Sequence, residues 1–343
     1  MKCIFCLEER TPTVEHIFPL AIGGSLTTDR VCQSCNSALG TSADGPLVKH
    51  PLVLMKRQQL RISDRSGKIP DALGEFVKEG TLAEDSSKKF RISTDQDQGI
   101  AKVELLYGEK EIVLPDGSKA KQVAVDASDT ERAKKQLRRI IQRERERNGL
   151  PALPSEELER HVAEVMKQEP QNLESPTIIS TVELDMFGLR LGLLKIAYEL
   201  AFLWLGESYL DDPIAAQIRT VLLMTSSRED AITAAESIRA VMSPHCDYPL
   251  RGFMPWDDNP NSHVAFSGMT NGSILIFVRV FTAVAGVVVV SDNASRYAKG
   301  PYDPNVIRLI RLDPIGGESR DTSFTDEIGR LYLSRFAVAL RRD

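Results

Sequence analysis

Four cysteines near the start of the chain constrain its fold more than any other feature. They form two pairs, Cys3 with Cys6 and Cys32 with Cys35, and each pair has a gap of two residues. Such a gap lets both sulfurs of a pair reach one tetrahedral ion, so two pairs predict a four-thiolate zinc site. A site of this kind stabilises a segment that is too short to build its own core. We therefore predict a structural Zn²⁺ at the amino terminus.

Polar residues of a second kind lie between and just after the cysteine pairs. Glu15 and His16 are adjacent in a short apolar run that predicts a strand, and Asn36 follows the last cysteine directly. Neighbouring side chains on a strand point to opposite faces, so Glu15 and His16 can serve one site only where the backbone bends. Carboxylate and amide oxygens suit Mg²⁺ or Mn²⁺. Glu15 and Asn36 are therefore candidate ligands of a hard divalent cation.

The order of these residues resembles that of the zinc-stapled HNH endonucleases. The resemblance implies a ββα-metal finger, in which two strands and a helix hold one catalytic divalent ion. It implies that Glu15 and Asn36 bind this ion, that His16 is the general base, and that the cysteines bind zinc. The matching positions cover about residues 1–50 and are Cys3, Cys6, Glu15-His16-Ile17, Pro19, Gly23-Gly24, Cys32, Cys35, Asn36, Gly40 and Asp44.

The chain departs from the family pattern at two points. Most relatives have Asp or His at the position of Glu15, and the family's middle asparagine falls near Thr27 or Thr28. The chemistry that the resemblance implies is hydrolysis of a phosphodiester, in which neutral His16 takes a proton from the attacking water. Histidine suits this role because its unperturbed pKa lies near neutrality. The alternative is a non-catalytic zinc module that binds nucleic acid or a protein, with these polar residues incidental.

The length of the chain predicts more than one folded unit. At 343 residues we expect two or three. A hydrophobic fraction of 42% and a charged fraction of 27% are typical of a globular protein. We predict an α+β fold with a nuclease-like finger at 1–58, a small β unit with a basic helical segment at 59–175, and an α+β domain at 176–343.

A basic helix is the second candidate functional element. Residues 128–147 begin with the capping-box pattern Ser128-x-x-Glu131 and end at Asn148-Gly149. The net charge of the chain is −5, so a polyanion must meet a local patch and not the whole surface. One interpretation is a helix that follows DNA phosphates, and the other is a solvated helix with ordinary surface charge. The candidate nucleic-acid-binding residues are Arg132, Lys135, Arg138, Arg139 and Arg143.

Periodicity and turn residues predict the remaining elements of the larger part. An antiparallel sheet is expected there, and Asn271-Gly272 is typical of a hairpin turn. His245, Cys246 and His263 lack a second cysteine pair, so we do not expect a metal site among them. The predicted strands lie at 177–184, 263–268, 273–281 and 285–291, the predicted helices at 155–168, 189–206, 211–224, 229–242 and 326–340, and a small β unit within 61–125.

The sequence also indicates an expected cellular compartment and an expected binding partner for the protein. Cys246 is the one cysteine outside the two pairs, which is typical of a reducing compartment. The first cysteine pair leaves no room for a signal peptide, and the apolar helix carries Lys195 and Glu199, so we expect a cytoplasmic protein with no membrane partner. DNA is the expected partner, although the sequence does not choose between DNA and RNA. For the larger part of the chain, after the finger, three roles remain as alternatives: recognition of modified DNA, sensing of a signal and homo-oligomerisation. Analogy suggests restriction or phage defence as the biological role.

Overall fold

Two compact units make up the chain in its computed structural model. One unit contains residues 1–70 and 184–343, and the other contains residues 71–183. This arrangement differs from the predicted division at 1–58, 59–175 and 176–343, because the amino-terminal finger shares its hydrophobic core with the carboxy-terminal part. The structure describes residues 1–64, 66–95, 99–113, 115–117, 119–126, 129–169, 175–224, 227–244, 259–298, 303 and 306–339.

The first unit begins with the predicted ββα arrangement. Strand β1 (Pro12–His16) pairs antiparallel with β2 (Thr27–Cys32), and helix α1 (Gln33–Leu39) follows at once. The chain reverses after Pro19 through a 3-10 turn that ends at Gly23, whose φ of 83° is a conformation that favours glycine. The helical path continues through a π-turn (Gly40–Asp44), α2 (Gly45–Lys49) and α3 (Pro51–Gln59).

The second unit contains the basic helix and a five-stranded antiparallel sheet in the order β6-β5-β4-β3-β7. The predicted strand at 177–184 is shorter than expected, since only β7 pairs with the sheet. Ser128 lies outside the described residues, and the side chain of Asp129 caps the basic helix by accepting a bond from the Arg132 amide. The elements are α4 (Ala72–Phe76), β3 (Glu79–Leu82), β4 (Lys88–Thr94), β5 (Ala101–Val113), β6 (Lys119–Ala124), α5 (Thr130–Arg147), α6 (Ser155–Val165) and β7 (Ile178–Ile179).

The carboxy-terminal part of the first unit is built on a six-stranded antiparallel sheet in the order β13-β12-β9-β10-β11-β8. The hairpin turn at Asn271-Gly272 is confirmed, with positive φ at both residues. Residues 240–242 were expected in a helix but belong to β8, because pairing with β11 overrides their local preference. The elements are α7 (Met186–Leu205), α8 (Pro213–Leu223), α9 (Arg228–Glu236), β8 (Ala240–Pro244), β9 (His263–Thr270), β10 (Ser273–Val280), β11 (Val284–Ser291), β12 (Arg308–Leu312), β13 (Ser319–Ser323) and α10 (Phe324–Ala339).

Helix α7 is the centre of the shared core. It is buried on nearly every side, as expected of a helix that is apolar all round. Its Gly192 lies so close to the finger that an added Cβ would come 2.7 Å from the Cβ of Leu47. The hydroxyl of Tyr198 donates to the carbonyl of Ile4, and its ring packs against Phe5 at 5.0 Å between centroids. Within the described part of the chain, no helix has the length and apolarity needed to cross a membrane.

Candidate metal centre and active site

The four predicted zinc ligands converge. The Sγ atoms of the two cysteine pairs all lie within 4.8 Å of one another, and those of Cys6 and Cys32 are 3.9 Å apart. Zn–S bonds of about 2.3 Å place tetrahedral sulfurs about 3.8 Å apart, so this donor set fits one Zn²⁺. The backbone amide of Cys32 also donates to the sulfur of Cys3 at 3.4 Å, a contact that supports a thiolate. The cluster joins the start of the chain to the beginning of α1.

An open cleft of about 660 Å³ lies beside this cluster, between β1 and the helical path that follows it. Glu15, His16 and Asn36 all line the cleft, and so does Asp44 from the end of the π-turn. A π-turn is a rare widened turn that often occurs at functional sites. The three residues predicted for catalysis and metal binding therefore meet at one cleft.

A local irregularity in β1 explains how adjacent residues reach the same cleft. The pairing of β1 with β2 shifts register between Thr13 and Glu15, and a shift of this kind re-aims the side chains that follow it. His16 lies directly opposite Thr27, and Glu15 lies opposite Thr28. Strand β1 thus has the local irregularity that Glu15 and His16 need in order to serve one site. Of the two threonines near the family's asparagine position, Thr28 uses its hydroxyl to accept a bond from the Arg30 amide at 3.2 Å.

Asn36 is held by the strand that it faces. Its side-chain amide nitrogen donates to the hydroxyl of Thr13 at 3.2 Å and to the carbonyl of Val14 at 3.1 Å. Because both bonds use the nitrogen, the carboxamide oxygen Oδ1 is the atom that can meet a cation. The side chain thus fixes α1 to β1 and presents an oxygen of the kind that Mg²⁺ or Mn²⁺ prefers.

Glu15 makes a contact that its sequence position does not reveal. Its carboxylate forms an ion pair with the ammonium of Lys195 on α7, and the Glu15 side chain is only 4% exposed. The same ammonium pairs with Asp44 at 3.1 Å and with Glu199 at 3.5 Å, and it donates to the main-chain carbonyl of His16 at 3.0 Å. Lys195 thus contacts both residues of the Glu15-His16 dipeptide from a helix that lies 180 residues further along the chain.

Burial shifts the pKa values of Lys195 and of the carboxyl groups around it. It raises the pKa of Asp44 to about 6, although the nearby Lys195 ammonium opposes the shift. Burial also raises the pKa of Glu199 well above its ordinary value. For Lys195, burial alone would lower the pKa, but the three surrounding carboxylates outweigh it and raise the pKa. Lys195 is therefore a permanent cation at neutral pH.

Comparison with known proteins gives a match for the amino-terminal residues 3–52 alone. Residues 3–52 match the family model of the HNH endonuclease. This segment is therefore similar to the HNH endonucleases. The match contains all four cysteines together with Glu15, His16, Asn36 and Asp44, and it supports a nuclease-type function and nucleic-acid binding. No curated protein and no solved structure matches the chain. Residues 53–343 lie outside the HNH match, so they carry no functional assignment from it.

Three residues in or behind the cleft, Asp44, Lys195 and Glu199, were not given roles from the sequence. Asp44 belonged to the resembling pattern, but nothing near it in sequence indicated that it would face His16. Lys195 and Glu199 were interpreted only as charges that argue against a membrane span. A stronger signal was present, because Gly188, Gly192, Lys195 and Glu199 recur at spacings of four, three and four residues on one face of an apolar helix. That face packs against the HNH segment.

The predicted nucleic-acid-binding helix lies in the other unit, and most of its basic residues already have partners. Arg132 pairs with Glu104 at 3.0 Å, Arg138 makes two bonds to Glu159, and Arg143 pairs with Glu109. These pairs neutralise charge on the helix surface, which favours the interpretation of a solvated helix. Within the described part of the chain, Lys135 and Arg139 are exposed and form no ion pair. A role in DNA binding stays a prediction and depends on these two residues.

His263, considered from the sequence for a metal site, has a structural role. His263 is fully buried, its Nε2 donates to the carbonyl of Ile22 at 2.9 Å, and its Nδ1 accepts from the Phe281 amide at 3.2 Å. Both ring nitrogens are satisfied, so the neutral imidazole acts as a bridge between β9 and the HNH segment. His245 and Cys246 lie outside the described residues.

Proposed function

We propose that the protein is a metal-dependent endonuclease that hydrolyses phosphodiester bonds of DNA. The observation that carries the proposal is the convergence of Glu15, His16 and Asn36 on one open cleft of a segment that matches the HNH family. The cleft adjoins a four-cysteine cluster that fits Zn²⁺, so the catalytic candidates stand on a metal-stabilised scaffold.

In the proposed mechanism, neutral His16 accepts a proton from the water that attacks phosphorus. The P–O3′ bond then breaks, and the leaving 3′ oxygen takes a proton from solvent. An ordinary histidine has a pKa of about 6.5, so most of it is free base at neutral pH. Glu15 and Asn36 would hold a divalent cation, Mg²⁺ or Mn²⁺, through a carboxylate and an amide oxygen. When bound, that cation stabilises the negative charge that develops on the phosphate. Lys195 fixes the backbone of His16 through its carbonyl.

The end groups of the products test this mechanism. Zinc-loaded protein is incubated with supercoiled plasmid, linear duplex, single-stranded DNA and RNA in the presence of Mg²⁺ or Mn²⁺. We expect DNA to be cut to 5′-phosphate and 3′-hydroxyl ends, because water adds to phosphorus as the 3′ oxygen departs. Cleavage of RNA alone would change the substrate class and contradict the proposal for DNA. Products with 3′-phosphate ends would contradict the assigned leaving group.

A matched pair of histidine variants separates the nuclease from a contaminant. His16→Ala should abolish cleavage, whereas His161→Ala should not, because His161 is exposed on α6 of the other unit. Zinc content and circular dichroism should be the same in both variants. Equal cleavage by the two variants would contradict the role of His16.

One observation favours a second candidate, a zinc module that binds nucleic acid or protein without cutting it. The buried ion pair between Glu15 and Lys195 gives the Glu15 carboxylate a structural partner, so its presence does not require a catalytic metal. Under this alternative, the wild type would bind DNA in a gel-shift assay but would not cut any substrate with any divalent cation. The cleavage assay distinguishes the two candidates.

Restriction or phage defence is the biological role that we propose for this nuclease. Support comes from the division of the chain: about 50 residues match a nuclease family, and the remaining part is large enough to select the target. Cells that express the wild type should plate at least one phage less efficiently than cells that express His16→Ala. Equal plating across a broad phage panel would contradict the defence role and would leave the nuclease assignment to the cleavage assay.

A further inference from the structure

The ammonium of Lys195 lies in a cage of oxygen atoms. It contacts the Glu15 carboxylate and lies 3.0 Å from the His16 carbonyl, 3.1 Å from Asp44 Oδ1 and 3.5 Å from Glu199 Oε2. The Lys195 side chain is 0% exposed. These oxygens come from three elements that are far apart in sequence, namely β1, the π-turn and α7. The fold therefore assembles a buried site for one positive charge.

The ligand set of the cage is one that would also suit a metal ion. Three carboxylates and a main-chain carbonyl are hard oxygen donors of the kind that bind divalent cations. One ammonium faces three carboxyl groups and a carbonyl, so the cage holds more oxygen acceptors than its three N–H groups can bind. Among the residues that the structure describes, neither oxygen of the buried Glu199 has a hydrogen-bond partner, and Oε2 has only the ammonium at 3.5 Å beside it. The cage is therefore only partly satisfied by the single charge of Lys195.

Two of the cage carboxylates are shared with the cleft. Glu15 and Asp44 line the cleft that contains His16 and Asn36, and the Asp44 side chain is 18% exposed. Glu199 instead lines a separate pocket next to Thr27 and Thr28. The ammonium thus lies on the inner side of Glu15 and Asp44, and the cleft lies on their outer side.

We propose that Lys195 is a positioning residue that occupies the inner cation position and confines the divalent cation to the cleft-facing oxygens. A tethered ammonium cannot leave, so it excludes a metal from the buried oxygens while it holds Glu15, Asp44 and the His16 carbonyl in place. Lys195 lies outside the segment that matches the HNH family, so α7 completes a site that the family segment does not contain alone. The inference rests on the proposed function for its catalytic meaning and on the cage geometry for the metal preference.

Removal of the ammonium should change metal binding in a defined direction. In Lys195→Met, two factors favour a divalent cation: a fixed positive charge is lost, and the inner oxygens of Glu15 and Asp44 are released. Binding of Mn²⁺ to zinc-loaded protein is measured by electron paramagnetic resonance without nucleic acid. We expect the dissociation constant for Mn²⁺ to fall at least tenfold, which corresponds to about 1.4 kcal/mol. An unchanged or higher dissociation constant overturns the inference.

Glu199→Gln is the matched control on the same helix. It removes a carboxylate from the cage but retains the ammonium, so its affinity for Mn²⁺ should be no higher than that of the wild type. An equal gain of affinity in Glu199→Gln and Lys195→Met would overturn the inference, because the gain would not come from loss of the ammonium.

A double variant keeps the test decisive if Lys195→Met does not fold. Lys195→Met/Glu199→Leu removes the ammonium together with a carboxyl group that it faces, and it fills the space with apolar side chains, a change that buried ion pairs often tolerate. Glu15 and Asp44 then lack an internal cation, so this variant should also bind Mn²⁺ at least tenfold more tightly than the wild type. Wild-type affinity in a folded double variant overturns the inference.

Cleavage kinetics provide a readout that a purely structural role would not give. In the folded Lys195 variants, the Mn²⁺ concentration for half-maximal cleavage should fall at least tenfold while kcat also falls, because the cation is drawn to the inner oxygens. A parallel loss of metal affinity and kcat contradicts the inference. If the wild type cuts no nucleic acid, the proposed function fails, whereas the Mn²⁺ binding comparison still decides the inference.

Discussion

His263 is a residue whose charge state is fixed by its place in the fold. Burial lowers the pKa of His263 to about 4, and its two ring nitrogens are occupied by the Ile22 carbonyl and the Phe281 amide. The ring also stacks on Phe18 at 5.4 Å between centroids. This one imidazole therefore connects the HNH segment to the six-stranded sheet, and it does so only when neutral.

The depressed pKa of His263 predicts a loss of stability in acid. Between pH 6.5 and about 4, the unfolded chain binds a proton at this residue and the folded chain does not, so stability falls as pH falls through this window. The difference in pKa corresponds to about 3 kcal/mol. We expect urea unfolding of the wild type to lose more free energy from pH 7 to pH 4.5 than unfolding of His263→Gln. The same loss in both proteins would contradict this assignment.

In helix α5, the charge pattern of the sequence does not reveal which basic side chains are already paired with carboxylates. Three of its five candidate residues are paired with glutamates, and such exposed pairs contribute little to stability. Their charges are nevertheless partly neutralised, so a phosphate would have to compete with a carboxylate for each of them. Lys135 and Arg139 remain available one helical turn apart.

If α5 contacts DNA, Lys135 and Arg139 should carry the contact. The variant Lys135→Ala/Arg139→Ala is expected to weaken DNA binding and to reduce the slope of log affinity against log salt by about 1.8, the value for two phosphate contacts. Arg138→Ala should have a smaller effect, because Glu159 already holds that guanidinium. Unchanged salt dependence in the double variant would leave α5 as an ordinary surface helix.

The finger and the helix α7 differ in how much the sequence reveals about them. The finger was predictable because its cysteines, Glu15-His16 and Asn36 are local signals, and the ββα order is confirmed. The docking of α7 was not predictable, because Glu15 and Lys195 are 180 residues apart and each looks like an ordinary charged residue. The predicted end of the helix at 229–242 was wrong for a related reason. Residues 240–242 belong to β8, which forms by pairing with β11, a strand that is distant in sequence.

The HNH segment is part of a larger hydrophobic core. Its buried residues Phe5, Phe18 and Leu47 belong to the same hydrophobic cluster as α7 and the inner face of the six-stranded sheet. The four-cysteine cluster alone therefore does not account for the stability of this segment. The nuclease site and the core of the carboxy-terminal part should fold and unfold together.

A fragment experiment tests this dependence. Residues 1–70 produced alone with Zn²⁺ should lack stable tertiary structure, because the apolar surface that packs on α7 would be exposed to water. We expect rapid amide exchange throughout the fragment, including α3, while the full-length chain protects the same amides. Slow exchange and cooperative unfolding of the fragment would show that the segment is autonomous and would contradict the shared core.

His16 is proposed to act as the general base in a cleft shared with Glu15 and Asn36. The most direct measurement is the single-turnover rate of DNA cleavage by zinc-loaded wild type, His16→Ala and His161→Ala at saturating Mn²⁺. We predict that His16→Ala is slower than the wild type by about 10²–10⁴-fold and that His161→Ala cuts at the wild-type rate. A His16→Ala protein that binds Mn²⁺ and cuts DNA as fast as the wild type would show that His16 is not the general base.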